Sequence, residues 1–321
     1  MGSVSETAKQ QELLDRVAQK VPVLKAKFQF GLARKLLGEA AAAFPGNLWL
    51  RQQLALCTYK DEDLFPAKRF ADALAVLEQI GLRDPTTTDA ETLALGGAIY
   101  KRWWEYGGQL EYLHLALNFY RAAWERNPDQ DSGYGGINAA FILQLLASRA
   151  QLAANRCQTA SPEADKLTAA ADDLRRAIIA HLTARMEKDP AITQANWLVV
   201  TLAEAFFGLG AYEQAGQWLA KSKALATAEW ERQTTVRQLV AIARLQGLEP
   251  PPEKSDPAQW SAPWQALHQL LGPDAAAAFS CYRGKVGLAL SGGGFRASLF
   301  HLGVLARLAE MDVLRSVEVL S

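Results

Sequence analysis

The chain has 321 residues, and its 34 basic and 34 acidic side chains give a formal net charge of zero. A protein without a basic surface has no general attraction to nucleic acid, so we expect no nucleic-acid partner. Half of the residues are hydrophobic, which predicts folded domains with a large core and argues against disorder.

The cysteines and the first residues indicate a cytoplasmic protein. The opening stretch, MGSVSETAKQQELLDRV, has no apolar core of a secretory signal, and no apolar run approaches the ~20 residues of a membrane span. Cys57, Cys157 and Cys281 lie far apart without a CxxC pair, so neither a disulfide framework nor a zinc site is expected. We expect no metal and no cofactor, and only peripheral contact with a membrane.

Residues 1–246 are predicted to form a helical repeat. In three segments an alanine is followed by a large apolar residue at +4, a small or apolar residue at +7 and a proline at +12. The segments are Ala33, Leu37, Ala40, Pro45; Ala73, Leu77, Ile80, Pro85; and Ala116, Tyr120, Ala123, Pro128. The first three positions share one helix face, and proline ends the helix.

This pattern is typical of the second helix of a tetratricopeptide repeat. The copies begin at residues 33, 73 and 116, which are 40 and 43 residues apart, whereas the standard period is about 34. Weaker copies follow at Ile178, Leu182 and Pro190, and at Tyr212, Ala215 and Leu219. We predict a divergent α-solenoid of about four to six helix pairs, with most tryptophans packed between helices rather than lining a peptide groove.

The segments AETLALGGAIYKRWWEYG, LALNFYRAAWERNP and DSGYGGINAAFIL add a more specific likeness. This block resembles the TRAF-binding, tetratricopeptide-like regulatory region of mitogen-activated protein kinase kinase kinases, over residues 45–245. The resemblance implies a regulatory role with a protein partner and implies no chemistry of its own.

Residues 247–262 are predicted to be a proline-rich linker, because three consecutive prolines in LEPPPEKSDPAQWSAPW cannot continue a helix. Trp260 and Trp264 are expected to pin this linker, or a short helix, against a domain.

Residues 263–321 contain a different pattern. KVGLAL is typical of a buried strand, SGGGFR of a turn, ASLFHLGVLARLAEM of a helix, and SVEVL of a second strand. This order predicts one βαβ unit with parallel strands. Glycines before a helix expose backbone N–H groups at the positive end of the helix dipole, where an anion is stabilised.

Two anions fit such a turn. Gly292, Gly294 and Ala297 match a GxGxxA dinucleotide fingerprint, but the acidic residue expected at the end of the second strand is missing, because Glu318 lies inside SVEVL. The alternative is the oxyanion of an acyl-transfer reaction.

Residues 284–321 resemble the start of a patatin-like phospholipase domain, in which a GGGxR loop forms the oxyanion hole. The resemblance implies that Gly293 and Gly294 donate to the oxyanion, that Gly292 shapes the turn and that Arg296 holds the loop or stabilises charge. It also implies a serine–aspartate dyad, whose Gly-x-Ser-x-Gly elbow would follow the second strand. Ser291 and Ala297 replace the aspartate and glycine common in that family, and neither change removes a backbone donor.

The predicted fold class is therefore mostly α, with an N-terminal α-solenoid followed by a truncated α/β patatin-like domain of one βαβ unit. For the complete protein we expect a lipid acyl hydrolase that takes a lipid ester as substrate and binds a protein partner through its repeats. The 321 residues alone are expected to be inactive. The alternatives are a helical-repeat scaffold without enzyme activity and a nucleotide-binding regulator that uses the glycine turn.

Overall fold

The computed structural model describes residues 2–225, 227–252, 255–272, 286–290, 292–310, 314 and 317–320, most of which are helical. Ten long helices pack as five consecutive pairs. These are α1 (Gly2–Ala26) with α2 (Phe30–Ala43), α3 (Leu48–Lys60) with α4 (Pro66–Glu78), α5 (Ala90–Gly107) with α6 (Leu110–Arg126), α8 (Tyr134–Arg156) with α9 (Pro162–Lys188), and α10 (Asn196–Gly208) with α11 (Tyr212–Ala224). A single turn, α7 (Pro128–Asp131), lies between α6 and α8. The predicted helical repeat is confirmed.

The shared sequence template marks the second helix of the first three pairs, and its apolar positions form the core. Eight of the nine lie at most 1% exposed: Ala33, Leu37, Ala40, Ala73, Leu77, Ala116, Tyr120 and Ala123. Ile80 is only partly buried, because α4 ends two residues earlier, at Glu78. The weaker copies on α9 and α11 are also buried. Alanine at the contact positions lets neighbouring helices approach closely, and the large residues fill the space between them.

Several helices begin at a side chain that satisfies a free backbone N–H group. Asn47 accepts from Leu50 N at 3.1 Å, before α3, and Ser161 accepts from Ala164 N at 3.2 Å, before α9. Proline occupies the first turn of α4, α7 and α9, where its missing N–H would have had no partner in the helix.

Two further helices complete the helical part. Helix α12 (Glu229–Leu245) contacts α8 and α10, and α13 (Ala262–Leu271) packs on α11. Trp264 of α13 is buried in the same core as the repeats, and its Nε1 donates to the Glu249 carbonyl at 2.7 Å. Trp264 thus holds a short helix, α13, against the helical domain, which is one of the two arrangements expected of it. The domain boundary predicted at residue 263 stays a prediction, and this packing joins α13 to the helical core.

The described part of the C-terminal region holds two short strands and one helix. Strands β1 (Val286–Leu288) and β2 (Val317–Leu320) pair in parallel, with Val286 opposite Val317, and helix α14 (Phe295–Glu310) lies between them in the chain. The order strand, glycine turn, helix, strand is the predicted one. The assignment of this unit to a patatin-like domain stays a prediction.

Helix α8 is long and apolar enough, by length and composition, to cross a membrane, although no such segment was expected from the sequence. Ile137, Phe141, Ile142 and Leu143 explain its composition, because they are buried between the helix pairs. Half of its most apolar window is buried in this way, which is typical of the core helix of a folded domain.

Candidate functional site

The predicted oxyanion loop lies between β1 and α14. Gly292 has φ +114°, a conformation that side chains rarely adopt, and a Cβ there would meet the Ala297 Cβ at 3.1 Å. Gly293 and Gly294 have open space where a Cβ would stand. The Gly294 carbonyl accepts from Ser298 N at 3.0 Å and so starts the hydrogen-bond ladder of α14. The turn therefore presents its backbone at the positive end of this helix.

The four predicted site residues, Gly292, Gly293, Gly294 and Arg296, are brought together in one exposed turn. Among the described residues, the Arg296 side chain has no hydrogen-bond or ion-pair partner that would fix the loop. Backbone N–H groups in such a turn can stabilise a developing oxyanion when a substrate carbonyl is placed against them. The described residues alone supply no nucleophile there, because Ser298 points its hydroxyl back to the Gly294 carbonyl at 3.3 Å.

A second candidate site, not predicted from the sequence, is a cavity of about 400 Å³ in the helical domain. Its walls come from α3, α5, α8 and α10, and α12 closes it on a further side. Helix α12 reaches from Trp230, whose ring lies 6.1 Å from that of Phe30, to Gln238, which bonds to residues of α5, α8 and α10. Cavities of this size commonly hold small ligands.

Two lysines of the cavity lack a carboxylate within ion-pair distance in the described part of the chain. Lys60 Nζ lies 4.0 Å from the ring centroid of Trp230, and Lys101 Nζ lies 4.7 Å from that of Phe141. Burial lowers the pKa of each lysine to about 8, and the positive charge of Arg102 acts in the same direction on both. The cavity thus holds ammonium groups that lack a full counter-charge.

A hydrogen-bonded network forms one side of the cavity. Lys101 Nζ donates to Asn138 Oδ1 at 3.0 Å and to the Gln238 side-chain oxygen, and Gln238 Nε2 donates to Glu204 Oε1 at 2.8 Å. Burial raises the pKa of Glu204 to about 7. Polar side chains rather than apolar ones therefore make the contact between four helices here, namely α5, α8, α10 and α12.

A second carboxylate of the cavity, Asp131, is the last residue of the single turn α7. Its two oxygens accept from the backbone N–H groups of Gly135 at 2.7 Å and Gly136 at 3.2 Å. Burial raises its pKa to about 6, and these two amides oppose that rise. The carboxylate of Asp131 therefore stabilises the first turn of α8.

The tryptophans divide between packing and exposure. Trp103, Trp104, Trp124 and Trp218 pack against the core, as expected. Trp49 and Trp197 are each 45% exposed, so the packing expectation was wrong for these two, and Trp197 lines the cavity. The four histidines and the Cys, Asp and Glu side chains form no metal-binding group among the described residues, and Cys281 lies outside them.

One sequence signal could have indicated the cavity. Lys101, which stands next to Arg102 in LALGGAIYKRWW, and Glu204, the single charged residue of NWLVVTLAEAFFG, lie in otherwise apolar helical stretches. Charged residues at such positions are rarely buried unless they are paired or functional. The partners Trp230 and Gln238 lie on α12, far along the chain, and no local pattern marks them.

Comparison with known proteins finds a family match for part of the helical domain. The model of the family described as Tetratricopeptide Repeats-Sensor matches residues 29–143, from just before α2 into α8. No curated protein matches the chain. Stacked repeats of this kind generally present concave surfaces that bind other proteins, which supports a protein partner. The N-terminal domain of this chain is a tetratricopeptide-like helical repeat domain.

Proposed function

We propose that the complete protein is a lipid acyl hydrolase of the patatin type, regulated by its helical-repeat domain. The glycine turn at Gly292–Gly294 carries the proposal, because it stands between two parallel strands at the start of α14. This is the position from which an oxyanion hole acts in the family that the segment resembles. The reducing cytoplasm is the proposed location, and unpaired Cys57 and Cys157 support it.

In the proposed reaction a serine hydroxyl attacks the ester carbonyl of a lipid at a membrane surface. The alcohol leaves, an acyl-enzyme forms and water then releases the fatty acid. The N–H groups of Gly293 and Gly294 stabilise the oxyanion of both tetrahedral intermediates, and removing one such donor costs about 3 kcal/mol of transition-state stabilisation. Arg296 adds positive charge at the turn. Its alternative role, holding the turn, has no supporting contact among the described residues.

The 321 residues contain no Gly-x-Ser-x-Gly segment, so the first test is the coding sequence beyond codon 321. An in-frame elbow within about ten codons supports the hydrolase, since the nucleophile follows a strand directly. A stop codon at that point overturns it.

The second test uses the full product of the gene in an ester-hydrolysis assay with two matched variants. Gly293→Pro removes the backbone donor, whereas Gly293→Ala keeps it, and a Cβ there meets no atom within 4 Å. We expect Gly293→Pro to lower kcat by about 10²–10³ and Gly293→Ala to stay near the parent. If the parent, Gly293→Pro and Gly293→Ala were equally active, the Gly293 N–H group would not stabilise the oxyanion.

A helical-repeat adaptor without enzyme activity is the second candidate, and the confirmed repeat domain favours it. In that case the full gene product binds its protein partner and hydrolyses no ester. Partner binding would then be unchanged by Gly293→Pro, and the coding sequence would contain no elbow.

A further inference from the structure

The cavity of the helical domain has features that a purely structural groove does not need. Helix α12 forms one of its walls, it holds the buried Lys101 and the half-buried Lys60, and exposed aromatic side chains stand in its lining. We propose that this cavity binds a small organic anion with a flat ring, its anionic group at Lys60 and Lys101 and its ring against Tyr134 and Trp197. This inference concerns the repeat domain and does not depend on the hydrolase.

The unmet charge in the cavity is positive. Lys101 bonds to the side-chain oxygens of two neutral amides, Asn138 and Gln238, and Lys60 contacts the face of Trp230. An indole face and amide oxygens replace only part of the hydration that an ammonium group loses on burial. A phosphate or carboxylate placed between these lysines would supply the missing charge and strong hydrogen bonds.

The carboxylates of the cavity do not supply that charge. Asp131 accepts two backbone hydrogen bonds, and Glu204 accepts from Gln238. Glu91 lies in the first turn of α5, where the helix dipole offsets its charge. Glu231 favours the charged form of Lys60, yet it makes no ion-pair contact with that lysine in the described part of the chain. In the described part of the chain, none of these four acids therefore forms an ion pair with Lys60 or Lys101.

The aromatic residues determine the shape of the ligand. Tyr134 is 41% exposed although it starts a helix whose next residues are buried, and its ring is held by Tyr120 at 6.2 Å, edge to face. Trp197 has the same placement at the start of α10. Rigid aromatic rings exposed to a cavity offer flat surfaces for stacking. Small residues of α5, Ala90, Ala94 and Ala98, leave the space beside them open.

The test measures binding of defined probes to the full chain by isothermal titration calorimetry. 1-Naphthyl phosphate and 1-naphthoate carry a ring and an anion, and they distinguish phosphate from carboxylate. 1-Naphthol lacks charge, 1-naphthylmethylamine carries the opposite charge, and inorganic phosphate lacks the ring. We expect at least one ring anion to bind at least tenfold more tightly than the neutral and cationic naphthalenes and than inorganic phosphate.

Matched variants locate the binding. Lys60→Met and Lys101→Met should each weaken the ring anion at least tenfold, and Trp197→Ala should weaken it about fivefold. The control is Lys221→Met, because Lys221 Nζ also lies over an indole, 5.2 Å from the Trp218 centroid, but outside the cavity. Thermal unfolding shows whether each variant is folded. If Lys101→Met does not fold, the binding measured for Lys60→Met decides the test.

Three results would overturn the proposal. The first is that no ring anion binds. The second is that the neutral or cationic naphthalene binds as tightly as the anions. The third is that Lys60→Met binds like the Lys221→Met control.

Discussion

The ring of Tyr120 on α6 lies directly against the backbone of Gly97 on α5. A Cβ added at Gly97 would come 2.7 Å from the Tyr120 Cγ, closer than such atoms approach. The three atoms nearest to this Cβ belong to the Tyr120 ring, and the ring has no room to turn aside because Tyr120 is buried. This contact fixes the separation of the two helices in the central pair.

We therefore expect Gly97→Ala to lower the free energy of unfolding by about 1–3 kcal/mol, the usual range for overpacking a core. Gly38→Ala on α2 is the matched control, because a Cβ there meets nothing within 4 Å. Alanine is the better helix former, so this change should raise stability by about 0.5–1 kcal/mol. Urea unfolding of both variants measures the difference, and equal effects would show that Tyr120 moves aside.

Asp89 joins three parts of the repeat domain through one carboxylate. Its Oδ1 accepts from Thr92 N at 2.8 Å, at the start of α5, and from Gln52 Nε2 at 2.7 Å, on α3. Its Oδ2 accepts from Gln130 Nε2 at 2.7 Å, on α7. Asp89→Ala should lower the free energy of unfolding by about 2–3 kcal/mol, because it removes a helix cap and leaves buried Gln52 with an unmet donor.

Ser161→Ala separates these two contributions. Ser161 caps α9 through Ala164 N and makes no cross-repeat hydrogen bond among the described residues. Its loss should cost about 1 kcal/mol. If chemical denaturation gives the same value for Ser161→Ala and Asp89→Ala, the bonds from Asp89 to α3 and α7 contribute nothing to stability.

The buried carboxyl of Glu204 predicts a pH dependence of stability. Burial raises its pKa from the ordinary 4.5 to about 7, against the opposing effects of Gln238, Lys101 and Arg175. The folded protein therefore holds this proton more tightly than the unfolded chain does. Through this group the free energy of unfolding is greatest below about pH 4.5 and falls as the pH rises towards 7, by on the order of 3 kcal/mol.

Glu204→Gln should remove this component, since glutamine keeps an acceptor for Gln238 but does not titrate. The measurement is the unfolding free energy of parent and variant between pH 4.5 and 8, with Glu213→Gln as an exposed control on α11. The fall with pH should be smaller for Glu204→Gln alone. Parallel curves for all three proteins would mean that Glu204 is ionised at no cost to the fold.

Local patterns predicted the helices, because burial of Ala33, Ala73 and Ala116 depends on neighbours within one repeat. The cavity depends on α12, which brings Trp230 to Lys60 and Gln238 to Lys101 from far along the chain. Periodicity carries no information on such a crossing. The charged residues Lys101 and Glu204 in apolar helices could have indicated a polar site, but neither the wall formed by α12 nor the exposure of Trp197 could be predicted. The glycine turn was predicted because strand, turn and helix follow one another in the chain. The proposed acyl transfer at this turn also needs a nucleophilic serine, which the two strands and the helix do not supply.

Helix α14 differs from all the long helices of the repeat domain in its burial. None of its residues is buried, and Phe295 and Phe300 are 80% and 69% exposed. Phe141 of α8, by contrast, is 5% exposed in the core. A helix without buried apolar contacts gains little stability from packing and opens locally at low cost. We therefore expect chymotrypsin to cut the native chain after Phe295 or Phe300 well before it cuts after Phe141.

Two substitutions test the same difference by stability. Phe300→Ser should leave the main unfolding transition within about 0.5 kcal/mol of the parent and reduce aggregation, because it removes exposed apolar surface. Phe141→Ser should lower the free energy of unfolding by about 3 kcal/mol or more, because it empties a core position and buries a hydroxyl. If Phe300→Ser were as damaging as Phe141→Ser, the apolar face of α14 would be packed in solution. The exposed face would then be an interface within the chain or between its copies.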